Sequence, residues 1–182
     1  MDALTNVPFT GCTTKVGLAA GTTTTLTTAN TALYGIRGKG YTKAGTSNQA
    51  TPTTDANTGV AFLPVPVGVA SAANGGGSYA EGYGYGCVFV VGYNAAGTLK
   101  VAQGSIELTD AAAVASSKFK IVVPKFPALP DDFCPVGYII TRTDSTATAW
   151  TFGSSNLAGP PTGVVHTYVD IIGYLPDRPQ VS

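Results

Sequence analysis

The residues best suited to acid–base chemistry lie on one short stretch, VVHTYVD, which contains the only histidine of the chain, His166. Alternation along a β-strand would place His166, Tyr168 and Asp170 on the same face. However, four residues of strand separate His166 from Asp170 by about 13 Å, which is beyond hydrogen-bond reach. The spacing therefore predicts a solvent-facing histidine rather than a catalytic His–Asp pair.

Other catalytic arrangements are also missing from the sequence. Glu81 and Glu107 are the only glutamates, and Asp131 and Asp132 are neighbours whose side chains diverge, so no glycosidase-type carboxylate pair is indicated. The glycine-rich EGYGYG precedes a predicted strand, whereas a phosphate-binding or dinucleotide turn joins a strand to a helix. We find no G-x-S-x-G nucleophile motif. The sequence predicts a protein with no catalytic residues.

Metal and cofactor sites are not predicted either. Cys12, Cys87 and Cys134 are odd in number and far apart, so neither a disulfide framework nor a zinc site is indicated, and we expect buried free thiols. One histidine and three dispersed cysteines do not supply a tetrahedral site. Asp55, in DANTG, is typical of a turn rather than of a calcium loop.

The charge of the chain limits its partners. The formal net charge is zero and charged residues make up 11% of the sequence, against about 25% in a typical soluble protein. This composition argues against nucleic acid and against an anionic membrane surface, both of which are bound through clustered positive charge. The chain has no apolar run of membrane-spanning length, and MDALTNVPFTG does not resemble a signal peptide, so we expect synthesis and folding in a cytosol.

The elements that must position all these residues are short β-strands. The clearest is the hairpin in CVFVVGYNAAGTLKVAQGSIEL, with its turn at NAAG. VGYIITRT and GVVHTYVDII predict further strands, as does KFKIVV, where Phe119, Ile121 and Val123 would share the buried face. The pattern predicts an all-β fold, an antiparallel sandwich or barrel of about seven to nine short strands. Helix is expected only near residues 109–117, with Thr109 as N-cap.

The chain divides at about residue 31. Residues 1–31 are rich in threonine and predict either an edge strand or an extended arm that is ordered only against a neighbour. Residues 32–182 predict a single β-domain. Within it, ALYGIRGKGYTKA favours a hairpin centred near Gly38 over one continuous strand, which would carry a basic stripe, because interior glycines weaken a strand. VAFLPVPVGVA predicts an edge strand or an extended strap.

A glycine- and tyrosine-rich loop is predicted at residues 71–86. Its tyrosines, Tyr79, Tyr83 and Tyr85, stand among glycines and serines, a composition found in binding loops because the rings offer contact area at low entropic cost. The alternative is a disordered spacer, which we favour.

A proline-rich strap at residues 124–135 is the other candidate contact segment. Polyproline II geometry, with three residues per turn, would align Pro124, Pro127, Pro130 and Phe133 on one ridge, with Phe126 and Leu129 on a second. Such a strap either forms an interface between chains or seals the sheet of its own domain. The candidate interface residues are Pro124, Phe126, Pro127, Leu129, Pro130 and Phe133.

The order of several segments resembles small structural proteins of tailed-bacteriophage virions, particularly capsid decoration (cement) and head-fibre proteins. These segments are GLAAGTTTTLTT, YGIRGKGYTKA, VFVVGYNAAGTLKVAQG and FPALPDDFCPVGYIITR, and then a strand ending in VDIIGYLPDRP. The resemblance implies a non-enzymatic virion protein that binds the major capsid protein on the outside of the head, often as a homotrimer. It assigns no role to any residue. The alternative is a receptor-binding or adhesive head or tail fibre that uses the tyrosine-rich loop, although the chain lacks the repeats that give fibres length.

Overall fold

The computed structural model describes residues 9–70, 72–73, 79–80, 82–110 and 115–180, with only the backbone at 72–73 and 79–80. Within these ranges the chain forms twelve β-strands, all paired antiparallel, and no helix. The strands are β1 (Gly11–Cys12), β2 (Leu18–Ala20), β3 (Leu26–Thr28), β4 (Ala32–Ile36), β5 (Lys39–Lys43), β6 (Thr46–Gln49), β7 (Ala72–Ala73), β8 (Tyr79–Ala80), β9 (Tyr83–Tyr93), β10 (Leu99–Asp110), β11 (Cys134–Thr143) and β12 (Val164–Asp170). The predicted all-β antiparallel class is confirmed. The number of strands exceeds the expected seven to nine because several are only two or three residues long.

The four longest strands form the central sheet, in the order β10-β9-β11-β12. The hairpin β9–β10 has the predicted turn: Gly97 has a φ of 72°, and the Asn94 side chain accepts hydrogen bonds from the backbone of Ala96 (3.1 Å) and Thr98 (2.9 Å). Three smaller sheets accompany it, with the orders β1-β4-β5, β2-β3-β6 and β7-β8.

Both faces of the central sheet are covered. On the front face, Phe89 and Val91 of β9 and Ile139 of β11 belong to the larger core cluster, together with Trp150 and Phe152 from the loop before β12. The back face carries a smaller cluster of Val88, Tyr138, Ile140 and Ile171. Strand β11, with an almost unbroken apolar run in its middle, is therefore buried along its whole length.

The threonine-rich N-terminal segment packs into the same core. Val16 and Leu26 are buried in the larger cluster beside residues of β9 and β11. Strands β1 and β2 lie at sheet edges, while β3 is the inner strand of its sheet. The edge-strand interpretation of this segment therefore fits β1 and β2.

The predicted hairpin at Gly38 is confirmed. Strands β4 and β5 pair from Ala32↔Lys43 to Ile36↔Lys39. Arg37 and Gly38 form the turn with φ values of 50° and 79°, the two positive angles that a type I′ turn requires. The alternative of one continuous strand is wrong.

The predicted strand KFKIVV is wrong. Only an isolated bridge, Phe119↔Thr109, joins this segment to β10, and Ile121 is 80% exposed. The Phe119 ring packs over Gly86 on the back face, and the backbone stays beside β10, with hydrogen bonds at Lys118, Lys120 and Lys125 but no continuous ladder. The predicted N-cap is also wrong, because Thr109 lies in β10. The rest of the expected helical turn lies largely at 111–114, outside the described residues.

The segment VAFLPVPVGVA is the predicted extended strap rather than a strand. Residues 60–70, called the aliphatic strap below, make three isolated bridges, Ala61↔Thr54, Val65↔Trp150 and Val69↔Tyr83. Pro64 and Pro66 have no N–H to donate, which prevents a continuous ladder.

Candidate contact surfaces

The aliphatic strap buries and exposes its side chains with a period of three. Phe62 and Val65 are 3% and 0% exposed, and Gly68 is also buried. The neighbouring Val60, Leu63 and Val69 are 61%, 65% and 47% exposed. This is the period of polyproline II, and it turns a row of aliphatic side chains towards solvent. We call these three residues, with the 37% exposed Val67, the aliphatic ridge.

Hydrogen bonds hold the aliphatic strap firmly in place. Val65 and Trp150 exchange backbone hydrogen bonds of 2.8 and 3.1 Å. The Gln103 side chain on β10 accepts from the N–H of Leu63 at 2.8 Å and donates to its carbonyl oxygen at 2.9 Å. The Thr143 hydroxyl donates to the Pro66 carbonyl at 2.6 Å. The ridge is therefore preorganised, so a partner would lose little entropy in ordering it.

The proline strap is partly sequestered by the domain itself. Phe133 is 2% exposed and its ring packs against Gly92, while Pro124 is buried. The Phe126 ring meets Tyr138 edge-on, with centroids 5.1 Å apart, in the back-face cluster. Of the candidate interface residues, Phe126 and Phe133 thus cover the chain's own sheet, and Pro124 is also withdrawn from solvent. The other three, Pro127, Leu129 and Pro130, are half-buried and stay candidates for an interface between chains.

An ion pair connects the β4–β5 turn to the proline strap. The Arg37 guanidinium donates to the Asp131 carboxylate, and the two side chains are 64% and 88% exposed. Because water and salt screen such a pair, it contributes little stability. It does place the turn next to the end of the strap.

Two of the three candidate binding tyrosines lie in the central sheet rather than in a loop. Tyr83 and Tyr85 begin β9, are half-buried, and meet edge-to-face at 5.8 Å. The intervening glycines serve packing: a Cβ on Gly84 would collide with the Thr143 carbonyl oxygen, and one on Gly86 would lie 2.5 Å from the Phe119 ring. The predicted 71–86 loop therefore ends before Tyr83. Tyr79 lies in β8, and its side chain is outside the described residues.

His166 is not solvent-facing, contrary to the sequence prediction. Its Nδ1 lies 3.0 Å from the Thr141 hydroxyl, and its ring packs on Trp150 with centroids 4.7 Å apart. Burial lowers the pKa of His166 to about 4, although the nearby Asn156 carbonyl favours the protonated ring. The loop carrying Trp150 folds over β12 and covers the histidine, which no local pattern in VVHTYVD reveals.

Asp170 has a separate structural role. Its carboxylate accepts a hydrogen bond from the backbone N–H of Leu18 at 3.0 Å, joining β12 to β2. The structure therefore gives His166 and Asp170 different partners, as their spacing predicted. In the ranges that the structure describes, no three His, Cys, Asp or Glu side chains form a group that could hold a metal ion.

All three cysteines are buried, as predicted. Burial raises the pKa of Cys87 and of Cys134 to about 12. Both therefore remain thiols at neutral pH, which makes them poor nucleophiles.

A shallow cleft of about 700 Å³ lies where the end of β5 meets the β9–β10 turn. Lys43 and Lys100 line it, together with Asp55. The Asp55 carboxylate already accepts hydrogen bonds from the Asn57 N–H at 3.0 Å and from the Thr58 hydroxyl at 3.1 Å, so it serves the turn that DANTG predicted.

Comparisons with protein-family models, with curated proteins and with solved structures give no match for this chain. In the part of the chain that the structure describes, no helix has the length and apolar character to cross a membrane.

Among the contact surfaces, sequence reasoning missed the aliphatic ridge. VAFLPVPVGVA predicted an edge strand or an extended strap, but not which of its side chains face outwards. The signal was present, because Pro64 and Pro66 favour polyproline II and its three-residue period separates Val60, Leu63 and Val69 from the buried Phe62 and Val65.

Proposed function

We propose that this chain is a non-enzymatic structural protein of a tailed-bacteriophage virion, which binds the outer surface of the capsid as a decoration or cement protein. The observation that supports this most is the aliphatic ridge: Val60, Leu63 and Val69 are 47–65% exposed on a strap that the fold holds rigid. A row of exposed aliphatic side chains on a preorganised support is typical of a protein contact surface.

The composition agrees with this mode of binding. Charged residues make up 11% of the chain, so contact would depend on apolar packing and neutral hydrogen bonds rather than on long-range attraction. A decoration subunit sits on its capsid at high density and needs contact surface more than the colloidal solubility that charge provides. The partner in this proposal is the major capsid protein. An individual contact of standard size, about 800 Å² per partner, is sufficient for stable attachment to the capsid if an oligomer binds several sites at once.

The alternative of a receptor-binding or adhesive fibre has less support. It depends on the tyrosine-rich loop, and Tyr83 and Tyr85 are half-buried in β9, where their rings contact each other. Only part of each ring is therefore available to a receptor. The Tyr79 side chain lies outside the described residues.

The copy number of the protein on purified particles tests the proposal. Quantitative mass spectrometry against the major capsid protein is expected to find hundreds of copies per head. A few dozen copies or fewer would favour a tail or vertex fibre, and absence from the particle would overturn the virion assignment.

A binding experiment tests the role of the ridge directly. Leu63→Ser with Val60→Ser should weaken binding to heads stripped of the protein by about tenfold or more, since losing well-packed contacts of this kind costs more than about 1.4 kcal/mol. The matched control is Ile172→Ser, because Ile172 is similarly exposed (57%) but lies outside the aliphatic strap. Both variants should retain the melting temperature of the parent. Equal binding by the ridge variant and the control would refute the ridge as the contact surface.

A further inference from the structure

The two edge strands of the central sheet, β10 and β12, differ in whether their outer edges are hydrogen-bonded to other segments. Along β10, neighbouring segments cover the outer edge: Ser105 donates to the Lys125 carbonyl at 3.2 Å, Lys120 donates to the Leu108 carbonyl at 2.9 Å, and Ala56 donates to the Val101 carbonyl at 2.8 Å. At the other end of the sheet, β12 pairs with β11 on one side, and no described strand pairs with its other edge, although β2 contacts β12 through the hydrogen bond from Leu18 to the Asp170 carboxylate.

The direction of the backbone groups on β12 follows from its pairing. Hydrogen bonds from Asp144 to the Gly163 carbonyl (2.9 Å) and from Ile171 to the Val136 carbonyl (3.2 Å) bracket the β11–β12 ladder. Alternation then directs the N–H and C=O of Val165, Thr167 and Val169 towards β11, and those of His166 and Tyr168 outwards. Among the described residues, these outward groups have no hydrogen-bond partner.

Strand β12 also lacks the residues that normally protect an edge. Lysines and prolines on exposed edges prevent pairing with another chain. The edge strand β5 has Lys39 and Lys43, whereas β12, VVHTYVD, has neither lysine nor proline.

We propose that β12 pairs antiparallel with β12 of a second copy of this chain, about a twofold axis beside Thr167, so that the two central sheets become one. In this register the outward N–H and C=O groups of His166 bond with those of Tyr168 in the other copy. Thr167 lies opposite its own counterpart, and Val165 opposite Val169, which are favourable β-branched pairs. Asp170, the only charged residue of β12, lies opposite Val164, so no like charges meet.

This twofold assembly goes beyond the proposed function and does not depend on it. It replaces the homotrimer that the phage resemblance implies. Leu63 of the aliphatic ridge is left free, because it is bonded to Gln103 of β10, at the opposite edge of the sheet from β12. A dimer would therefore carry two ridges and gain affinity by binding through both.

Solution mass measurement and cysteine cross-linking test the pairing without any capsid. Light scattering should give twice the chain mass of 18.4 kDa at micromolar concentrations. Thr167 would form a non-hydrogen-bonded pair with its counterpart, with Cα atoms about 4.5 Å apart, which suits a disulfide. Thr167→Cys should therefore form a covalent dimer under mild oxidation. Thr42→Cys, at an exposed position on the lysine-bearing strand β5, is the matched control and should remain a monomer on a denaturing gel.

Charged substitutions at Thr167 provide a second test if the cysteine variant fails to fold. Thr167→Lys and Thr167→Glu should each be monomeric, because like charges face each other at the axis, and an equal mixture should recover the dimer. A wild-type monomer at about 100 µM, a trimer, or a dimer that Thr167→Cys cross-links no faster than Thr42→Cys would each overturn the proposal.

Discussion

Acid should destabilise this protein through His166 in a pH range where no other side chain ordinarily titrates. The perturbation is a change from pH 7 to pH 5, and His166 is the only histidine. Burial lowers its pKa from the ordinary 6.5 to about 4 in the folded chain. As the pH falls, the unfolded chain therefore takes up a proton first, and the folded state loses relative stability.

The magnitude follows from the two pKa values. The stability contributed by neutral His166 is fully present above pH 6.5 and is lost as the pH falls towards 4, below which the folded state is protonated as well. At about 1.4 kcal/mol for each pH unit between 6.5 and 4, the whole effect is about 3 kcal/mol. About 2 kcal/mol of it should already be lost at pH 5.

Urea denaturation at pH 7 and pH 5 measures this loss as a fall in the free energy of unfolding. The control is His166→Gln, which keeps a polar group near the Thr141 hydroxyl but does not titrate. This variant should be less stable than the wild type at pH 7, and its stability should hardly change between the two pH values. A wild type as insensitive to pH as the variant would refute the burial of a neutral histidine against Trp150.

Three other perturbations test the remaining features. Gly97→Val should lower the free energy of unfolding by about 1–2 kcal/mol, because Gly97 has a φ of 72°. The control is Gly40→Val, where a Cβ would meet nothing within 4 Å. Equal melting temperatures for the two variants would show that the turn is not at Gly97. Phe126→Ala should lower the free energy of unfolding by about 2 kcal/mol or more, because the Phe126 ring packs on Tyr138. Leu129→Ala should lower it much less. Unchanged stability of the Phe126→Ala variant would mean that the proline strap does not cover the sheet. Particles washed in about 0.5 M salt, where the screening length is near 4 Å, should retain the protein, and its wholesale release would favour binding through the basic residues Arg37, Lys39 and Lys43.

The parts of the fold that the sequence predicts well are those set by local backbone chemistry. The turn at Arg37-Gly38 and the turn ending at Gly97 depend on positive φ angles that glycine adopts easily, and both hairpins were predicted from these residues. Strands β11 and β12 followed from continuous or alternating apolar residues.

The errors arise where tertiary packing overrides the local pattern. KFKIVV alternates as a half-buried strand should, yet the Phe119 ring packs over Gly86, the segment makes only an isolated bridge to β10, and Ile121 is exposed. His166 is buried by Trp150, sixteen positions earlier in the chain. Each of these contacts is made with a residue distant in the sequence, so the local pattern does not reveal it. The sequence therefore identified candidate contact residues but did not show which of them are buried.

The close packing of glycines in the central sheet limits how this sequence can vary. Gly84 lies against the Thr143 carbonyl, Gly86 against the Phe119 ring, and Gly92 against the Phe133 ring, and in each case even a methyl group would collide. EGYGYG therefore looks like a low-complexity stretch but tolerates almost no substitution at its second and third glycines. Exposed aliphatic positions such as Leu63 are under no such steric limit, so substitutions there can follow changes in the surface of a binding partner. In a mutational library selected for folding alone, the glycines should be retained while the residues of the aliphatic ridge vary. The spacing of these glycines is therefore the feature by which related sequences should be recognised.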